Sequence, residues 1–144
     1  MRLFIFFAIL TIAYAGGDIF AIRDLIPMLT NWTDRAQLEV LMRDQTTPRS
    51  QIQAQVQEIV ARQSEDVQNA YRILYENRQN QIQQWNQRRL QRIRNRGSKQ
   101  NCVANFEEMT VIMNDLSLSQ SQVDERIQEL YSKPCPMMTS TAAA

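Results

Sequence analysis

Apolar positions recur along this chain in two kinds of pattern. Leu3 to Ala15 is a continuous apolar run broken only by Thr11. Further on, apolar residues fall at spacings of three and four, the period of one helix face. Four such stripes stand out: Leu38, Leu41 and Met42; Ile52, Val56, Ile59 and Val60; Phe106, Met109, Ile112 and Met113; Val123, Ile127, Leu130 and Tyr131. Each predicts an amphipathic helix. Between the second and third lies 65–96, free of Pro and Gly. There Val67, Ala70, Tyr71, Leu74, Ile82, Trp85 and Ile93 form a stripe interrupted near Arg78 and Arg89. It predicts a single polar helix about 45 Å long, stopped by Gly97-Ser98. Its C-terminal half is expected to project into solvent, because full cover would need both flanking helix pairs.

The chain also matches itself at an offset of 71 residues. Leu38 to Val60 and Met109 to Tyr131 align without a gap, with seven of 23 positions identical and the apolar positions in register. Each copy reads as helix, short turn, helix. In the first, Asp34 is the expected N-cap with Gln37 as its capping-box partner. The turn falls at 44–47, and Pro48 suits the first turn of the next helix. In the second, the turn falls at 115–118, and Ser119 with Gln122 makes the capping box. The predicted fold is therefore all-α, with two repeat-related helix-turn-helix units joined by a long central helix. The expected organisation is a leader at 1–15, an N-terminal segment at 16–33, a helical domain at 34–133 (copies 38–60 and 109–131, central helix 65–96), and a flexible tail at 134–144.

The first run changes the picture from folding to targeting. Arg2 precedes it, and Ala13-Tyr14-Ala15 has the small-x-small form of a signal-peptidase site. Its thirteen residues fall short of the roughly 20 a membrane span needs. A cleaved secretory leader is expected, with an uncleaved signal anchor as the alternative, and no membrane span is expected after cleavage. An exported protein meets oxidising conditions, so Cys102 and Cys135 are expected to form a disulfide. Asn31-Trp32-Thr33 is a candidate N-glycosylation site.

Composition removes several chemistries. Histidine is absent, which excludes Ser-His and Cys-His nucleophile pairs and most zinc sites. Glycine occurs three times, too few for a glycine-rich phosphate loop. Sixteen basic residues against fifteen acidic ones argue against a nucleic-acid partner for the chain as a whole. No acid–base pair can be assigned, and no enzymatic activity is expected.

The leader, the two copies of the form "apolar helix, Asp-x-Ser/Thr-x-x, amphipathic helix" and the polar helix between them resemble the SXP/RAL family of secreted nematode proteins. The matching stretches are LMRDQTTPRSQIQAQVQEI and IMNDLSLSQSQVDERIQELY, with AYRILYENRQNQIQQW between. The resemblance implies a small all-α antigen or allergen with a loosely calmodulin-like arrangement and a domain labelled cation-binding. It makes weak calcium or magnesium binding conceivable, with Asp44, Thr46, Asp115 and Ser117 as the weak metal candidates.

The residues themselves oppose that label. A calcium loop of the EF-hand type needs oxygen ligands at positions 1, 3 and 5, glycine at 6 and a bidentate glutamate at 12. Counted from Asp44, these are Asp44, Thr46, Pro48, Arg49 and Gln55; counted from Asp115, they are Asp115, Ser117, Ser119, Gln120 and Arg126. Such loops read as turns in which Asp and Ser/Thr side chains satisfy backbone amides. No resident cofactor is expected. The remaining feature is a basic run. From Asn77 to Phe106 there is no acid, while Arg78, Arg88, Arg89, Arg92, Arg94, Arg96 and Lys99 give +7. Arg88, Arg92 and Arg96 share one face. They are the candidates for contact with a polyanion such as glycosaminoglycan or anionic lipid, against the alternative of an ordinary solvated face. The function expected is non-enzymatic binding outside the cell, to an unknown protein or polyanion. The alternatives are a carrier of a small apolar ligand or a weak divalent-cation binder.

Overall fold

A computed structural model of the chain describes residues 18–95 and 103–132. The leader at 1–15, Arg96, Cys102, Cys135 and the tail at 134–144 lie outside the described residues. Among the described residues six α-helices follow in order: α1 (Ile22–Leu25), α2 (Trp32–Arg43), α3 (Arg49–Ala61), α4 (Glu65–Asn95), α5 (Val103–Asn114) and α6 (Gln120–Ser132). A 3-10 turn at Ile26–Met28 follows α1, and the described residues contain no strand. The all-α class and the long central helix are as the periodicity predicts. The chain packs as two compact units. The first takes in the chain up to Asp44 and Ile52–Gln79; the second takes in Gln45–Gln51 and the chain from Asn80 on.

In the first unit, Leu38 and Leu41 of α2 are buried, as are Ile52, Val56 and Ile59 of α3. At roughly 1.5–3 kcal/mol for each fully buried large side chain, these stripes are what hold the helices in place. The N-terminal segment, to which the pattern assigns no role, belongs to this core. Phe20, Ala21, Ile22, Leu25 and Leu29 are all buried. The Asp18 carboxylate caps α1, accepting from the Ile22 amide at 2.6 Å and the Arg23 amide at 3.0 Å. Ala21 is held in the left-handed region (φ 54°) with its side chain sealed off, a conformation that costs an alanine about 1–2 kcal/mol. The signal was present in the sequence: Asp18 followed by Ile22, Leu25, Ile26 and Leu29 at helical spacing.

The cap of α2 differs from expectation. Asn31 is the N-cap, its Oδ1 accepting from the Thr33 amide at 2.8 Å and the Asp34 amide at 3.4 Å. Asp34 lies one turn further in and is buried. Its carboxylate accepts from Arg62 Nη2 at 2.9 Å and Gln63 Nε2 at 2.8 Å, tying the start of α2 to the end of α3. Asn outranks most residues at a cap, and the carboxylate does more by joining two helices.

The interruptions in the α4 stripe are joints. Arg78 Nη2 bonds Asp24 at 2.8 Å, and Gln79 Nε2 donates to Ile19 O at 2.8 Å. Tyr71, buried about two turns earlier, donates its hydroxyl to Phe20 O at 2.9 Å. In the second unit, Arg89 lies over the rings of Trp85 and Phe106, 5.1 and 5.5 Å from their centres. Its Nη2 donates to the Tyr131 hydroxyl at 3.2 Å. The C-terminal part of α4 does not project into solvent as expected. Leu90 and Ile93 pack against a cluster of Phe106, Met109 and Leu130 from α5 and α6. Those two helices form a hairpin, with Leu130 near the end of one beside Phe106 near the start of the other.

Candidate functional site

Two places in the second unit concentrate chemistry: the paired loops and the basic stretch of α4. The loops meet through backbone bonds. Ser50 N donates to Leu116 O at 2.8 Å, and Ser121 N donates to Gln45 O at 3.0 Å. Pro48 and Ser119 form an isolated antiparallel bridge between them. The bridged pair stands 71 apart in sequence, and the same offset, at which the chain matches itself, carries one bond onto the other, 45 answering to 116 and 50 to 121. Pro48 has no amide to donate, and a bridge limited to one position does not need one.

Residues 71 apart then diverge. Gln120 turns back along its own helix to Asp124, at 2.9 Å. Arg49 crosses to the other loop and is only 4 % exposed. Its Nη2 donates to Asp115 O at 2.9 Å, Met113 O at 3.0 Å and Ile112 O at 3.5 Å, and its Nε donates to Leu118 O at 3.3 Å. The Arg49 amide shares the Leu118 acceptor at 3.1 Å. At the end of α5, where backbone donors run out, the Met113 carbonyl is thus met by a guanidinium, and the Ile112 carbonyl takes it together with the Asp115 amide at 3.3 Å. The helix dipole favours a cation there. Burial pulls the Arg49 pKa down, while the carboxylates of Asp115 and Asp124 push it back up.

The metal candidates are disposed as follows. Asp44 is the C-cap of α2, its amide bonded to Leu41 O at 3.3 Å, and Thr46 lies exposed in the first loop. Asp115 Oδ1 accepts from Ser117 N at 3.0 Å and Ser117 Oγ at 2.6 Å, so carboxylate and hydroxyl close a turn on each other. Those two bonds hold the Asp115 pKa below the ordinary carboxylate value, and the charges of Arg126 and Arg49 act in the same direction. The second capping box forms as predicted: Ser119 N donates to Gln122 Oε1 at 3.0 Å, and Gln122 N to Ser119 Oγ at 3.3 Å.

On α4, Trp85, Arg89, Arg92 and Ile93 line an open cavity of about 360 Å³. Arg88 and Arg92 are exposed, and the Arg92 Nε reaches back to Arg88 O at 3.4 Å. Arg94 meets Glu107 at 3.6 Å. Among the described residues, no carboxylate lies within ion-pair reach of Arg88 or Arg92. The basic-face reading does not include Trp85 or Arg89. Their i, i+4 spacing beside Ile93 is the sequence signal for them. Asn31 is exposed beside an exposed Trp32. Its cap uses Oδ1 and not the amide nitrogen, the atom a glycan would take.

Residues 1–135 match the profile of a family described as "SXP/RAL-2 family protein Ani s 5-like, metal-binding domain". The chain belongs to the SXP/RAL-2 family. No curated protein and no solved structure matches it. The description makes a divalent ion the group to test against this SXP/RAL-2 chain. The donor set does not fit one. Each loop brings a single carboxylate, and calcium takes six to eight oxygens with several charged ones among them. The Asp115 oxygen that would lead the second loop already holds Ser117. Among the described residues no group of three or more His, Cys, Asp or Glu could hold a metal. Nor, among them, is any helix long and apolar enough to cross a membrane.

Proposed function

We propose that this SXP/RAL-2 protein is a secreted, non-enzymatic nematode protein, an antigen of the extracellular or host interface, that binds an anionic partner through the C-terminal stretch of α4. The observation that carries the reading is the cavity over Trp85 and Ile93, with Arg89 and Arg92 in its walls. Arg88 extends the same charge along the helix. Salt bridges that would neutralise Arg88 and Arg92 are missing from the described residues, so both charges are available to an outside anion. Export is supported by the sequence of the leader. The family resemblance supports the antigen role and the absence of catalysis. A bridge between Cys102 and Cys135 suits the order of the chain, since one cysteine immediately precedes α5 and the other follows α6 by three residues. The two helix-turn-helix copies are proposed to be true repeats in a calmodulin-like pair.

Trp85 and Ile93 favour one second reading, a small amphiphilic anion whose apolar part covers the indole. A wholly apolar cargo suits the site less well, because two of its four lining residues are arginines. Heparin affinity chromatography of the mature protein tests the main reading. Retention should weaken steeply between low and physiological salt, as screening shortens the reach of exposed charges to about 8–10 Å. Arg88→Gln with Arg92→Gln should release the protein at lower salt without loss of helicity. Unchanged retention after that double change would defeat the polyanion reading. Quenching of Trp85 fluorescence by a fatty-acid anion, in a Trp32→Phe background, would then support the amphiphile.

A further inference from the structure

A buried arginine without a carboxylate at bonding distance is costly unless its donors are satisfied. Arg49 is such a residue, and its Nε and Nη2 donors end on backbone carbonyls of α5 and the loop that follows it. The oxygens it takes come from three consecutive turns of chain: the last turn of α5 (Ile112, Met113), the head of the loop (Asp115) and the foot of the loop (Leu118). One rigid fork thus fixes the entry and exit of the loop together. Lysine could not do this, since an ammonium is a point charge without a planar fork.

The surrounding charges point the same way. Asp115 feels both Arg49 and Arg126. Arg126 stands at the position, twelfth from Asp115, where a calcium loop places its closing glutamate. A divalent ion arriving at Asp115 would meet two fixed positive charges and a carboxylate already engaged by Ser117. The equivalent of Arg49 in the other copy is Gln120, which stays on its own helix. The asymmetry places one built-in charge in the loop pair.

We propose that the Arg49 guanidinium is the resident cation of the paired loops, taking the structural place of a metal ion and making their closed geometry independent of calcium and magnesium. The family description names a metal-binding domain; in this chain the positive charge at that loop is covalent. The protein therefore keeps its loop pairing in fluids of any divalent-ion content. This goes beyond the anion site on α4 and does not rest on it.

The test uses the mature, full-length protein. Its Arg49 Nε–H nuclear magnetic resonance signal should persist at mildly alkaline pH, where exposed arginines exchange away. Millimolar calcium or magnesium should leave that signal in place, and melting should be the same with either ion or with a chelator. Arg49→Met should lower the melting temperature by about 10 °C, the scale expected for lost charge-assisted bonds in a small domain. Millimolar methylguanidinium should restore part of that loss in the variant and do nothing for the parent. Arg49→Lys should fall between the two. If Arg49→Met does not fold, the signal and melts of the parent decide alone. A rise in melting temperature with calcium or magnesium, an Arg49 signal that exchanges away or shifts with either ion, or an Arg49→Met variant that melts like the parent would each overturn the proposal.

Discussion

In the first unit the four largest fully buried side chains, Leu25, Leu38, Val56 and Ile59, are aliphatic. In the second the apolar core is smaller, drawn from Phe106, Met109, Leu118, Val123 and Leu130, and beside Leu118 a whole arginine is buried. Each unit also buries one charge against a helix end. Asp34 sits in the first turn of α2, where the dipole favours an anion, and Arg49 sits at the last turn of α5, where it favours a cation. Their partners differ. Asp34 is held by two side chains, Arg62 and Gln63, while Arg49 is held by carbonyls. A carboxylate titrates in the acid range; a guanidinium on carbonyls does not titrate anywhere a protein survives. Similar helical pairs are thus secured here by apolar volume in one unit and by a fixed charge in the other, with different sensitivities.

The largest expected effect breaks the apolar side of the comparison. Leu38→Ala leaves a cavity in a fully buried site and should cost about 4–5 kcal/mol, read as a lower denaturant midpoint with little change in slope. Leu118→Ala, at a less completely buried position beside the polar fork, should cost less. Equal losses would show that the two cores are alike.

The second effect concerns acid. Hydrogen bonding from Gln63 comes first among the causes that lower the Asp34 pKa, with the Arg62 bond and charge adding to it against burial. The folded value thus lies below the unfolded one, and the unfolded chain binds the extra proton. The Asp34 contribution is therefore fully present above the unfolded value, near pH 4, and is lost as pH falls through the folded value. Asp34→Asn should flatten the stability profile below about pH 4. Asp115, also lowered, adds a slope of the same sign, so Asp115→Asn is the control that separates the two. A profile unchanged by Asp34→Asn would remove the carboxylate from the account.

The smallest effect is on stability at the α4 face. Arg88→Gln and Arg92→Gln together should change unfolding free energy by no more than about 0.5 kcal/mol, since neither residue holds the fold. A larger loss would show that the basic face is structural and would sharpen the contrast with Arg49.

The elements that were legible in the sequence are those governed by neighbours along the chain. The central helix was expected over 65–96 and is observed at Glu65–Asn95, and the Ser119–Gln122 capping box forms as read. Periodicity and caps are local, so a sequence displays them. Asp34 as N-cap was a miss of three residues, because Asn31 offers the same chemistry and Asp34 has a better use with Arg62. The breaks at Arg78 and Arg89 read as gaps in a stripe. They are the points where polar tips reach other segments while their stems lie in the stripe. Arg49 was visible only as the residue that spoils a calcium loop. Its destination, 69 residues away at Leu118, has no signature in spacing.

The long reach of these ties has a kinetic consequence. Tyr71 closes on Phe20 across 51 residues, Gln79 on Ile19 across 60, and Arg49 on Leu118 across 69. Loop closure must precede each of these contacts, and distant contacts slow folding compared with helical proteins built from neighbours. During synthesis the segment from Asp18 to Leu29 waits for the first half of α4 to emerge. Arg49 then waits longer, until the loop after α5 has left the ribosome. For that interval the guanidinium has no acceptors, so the second unit closes last and its part of the nascent chain stays open to proteolysis and aggregation until residue 118 has emerged.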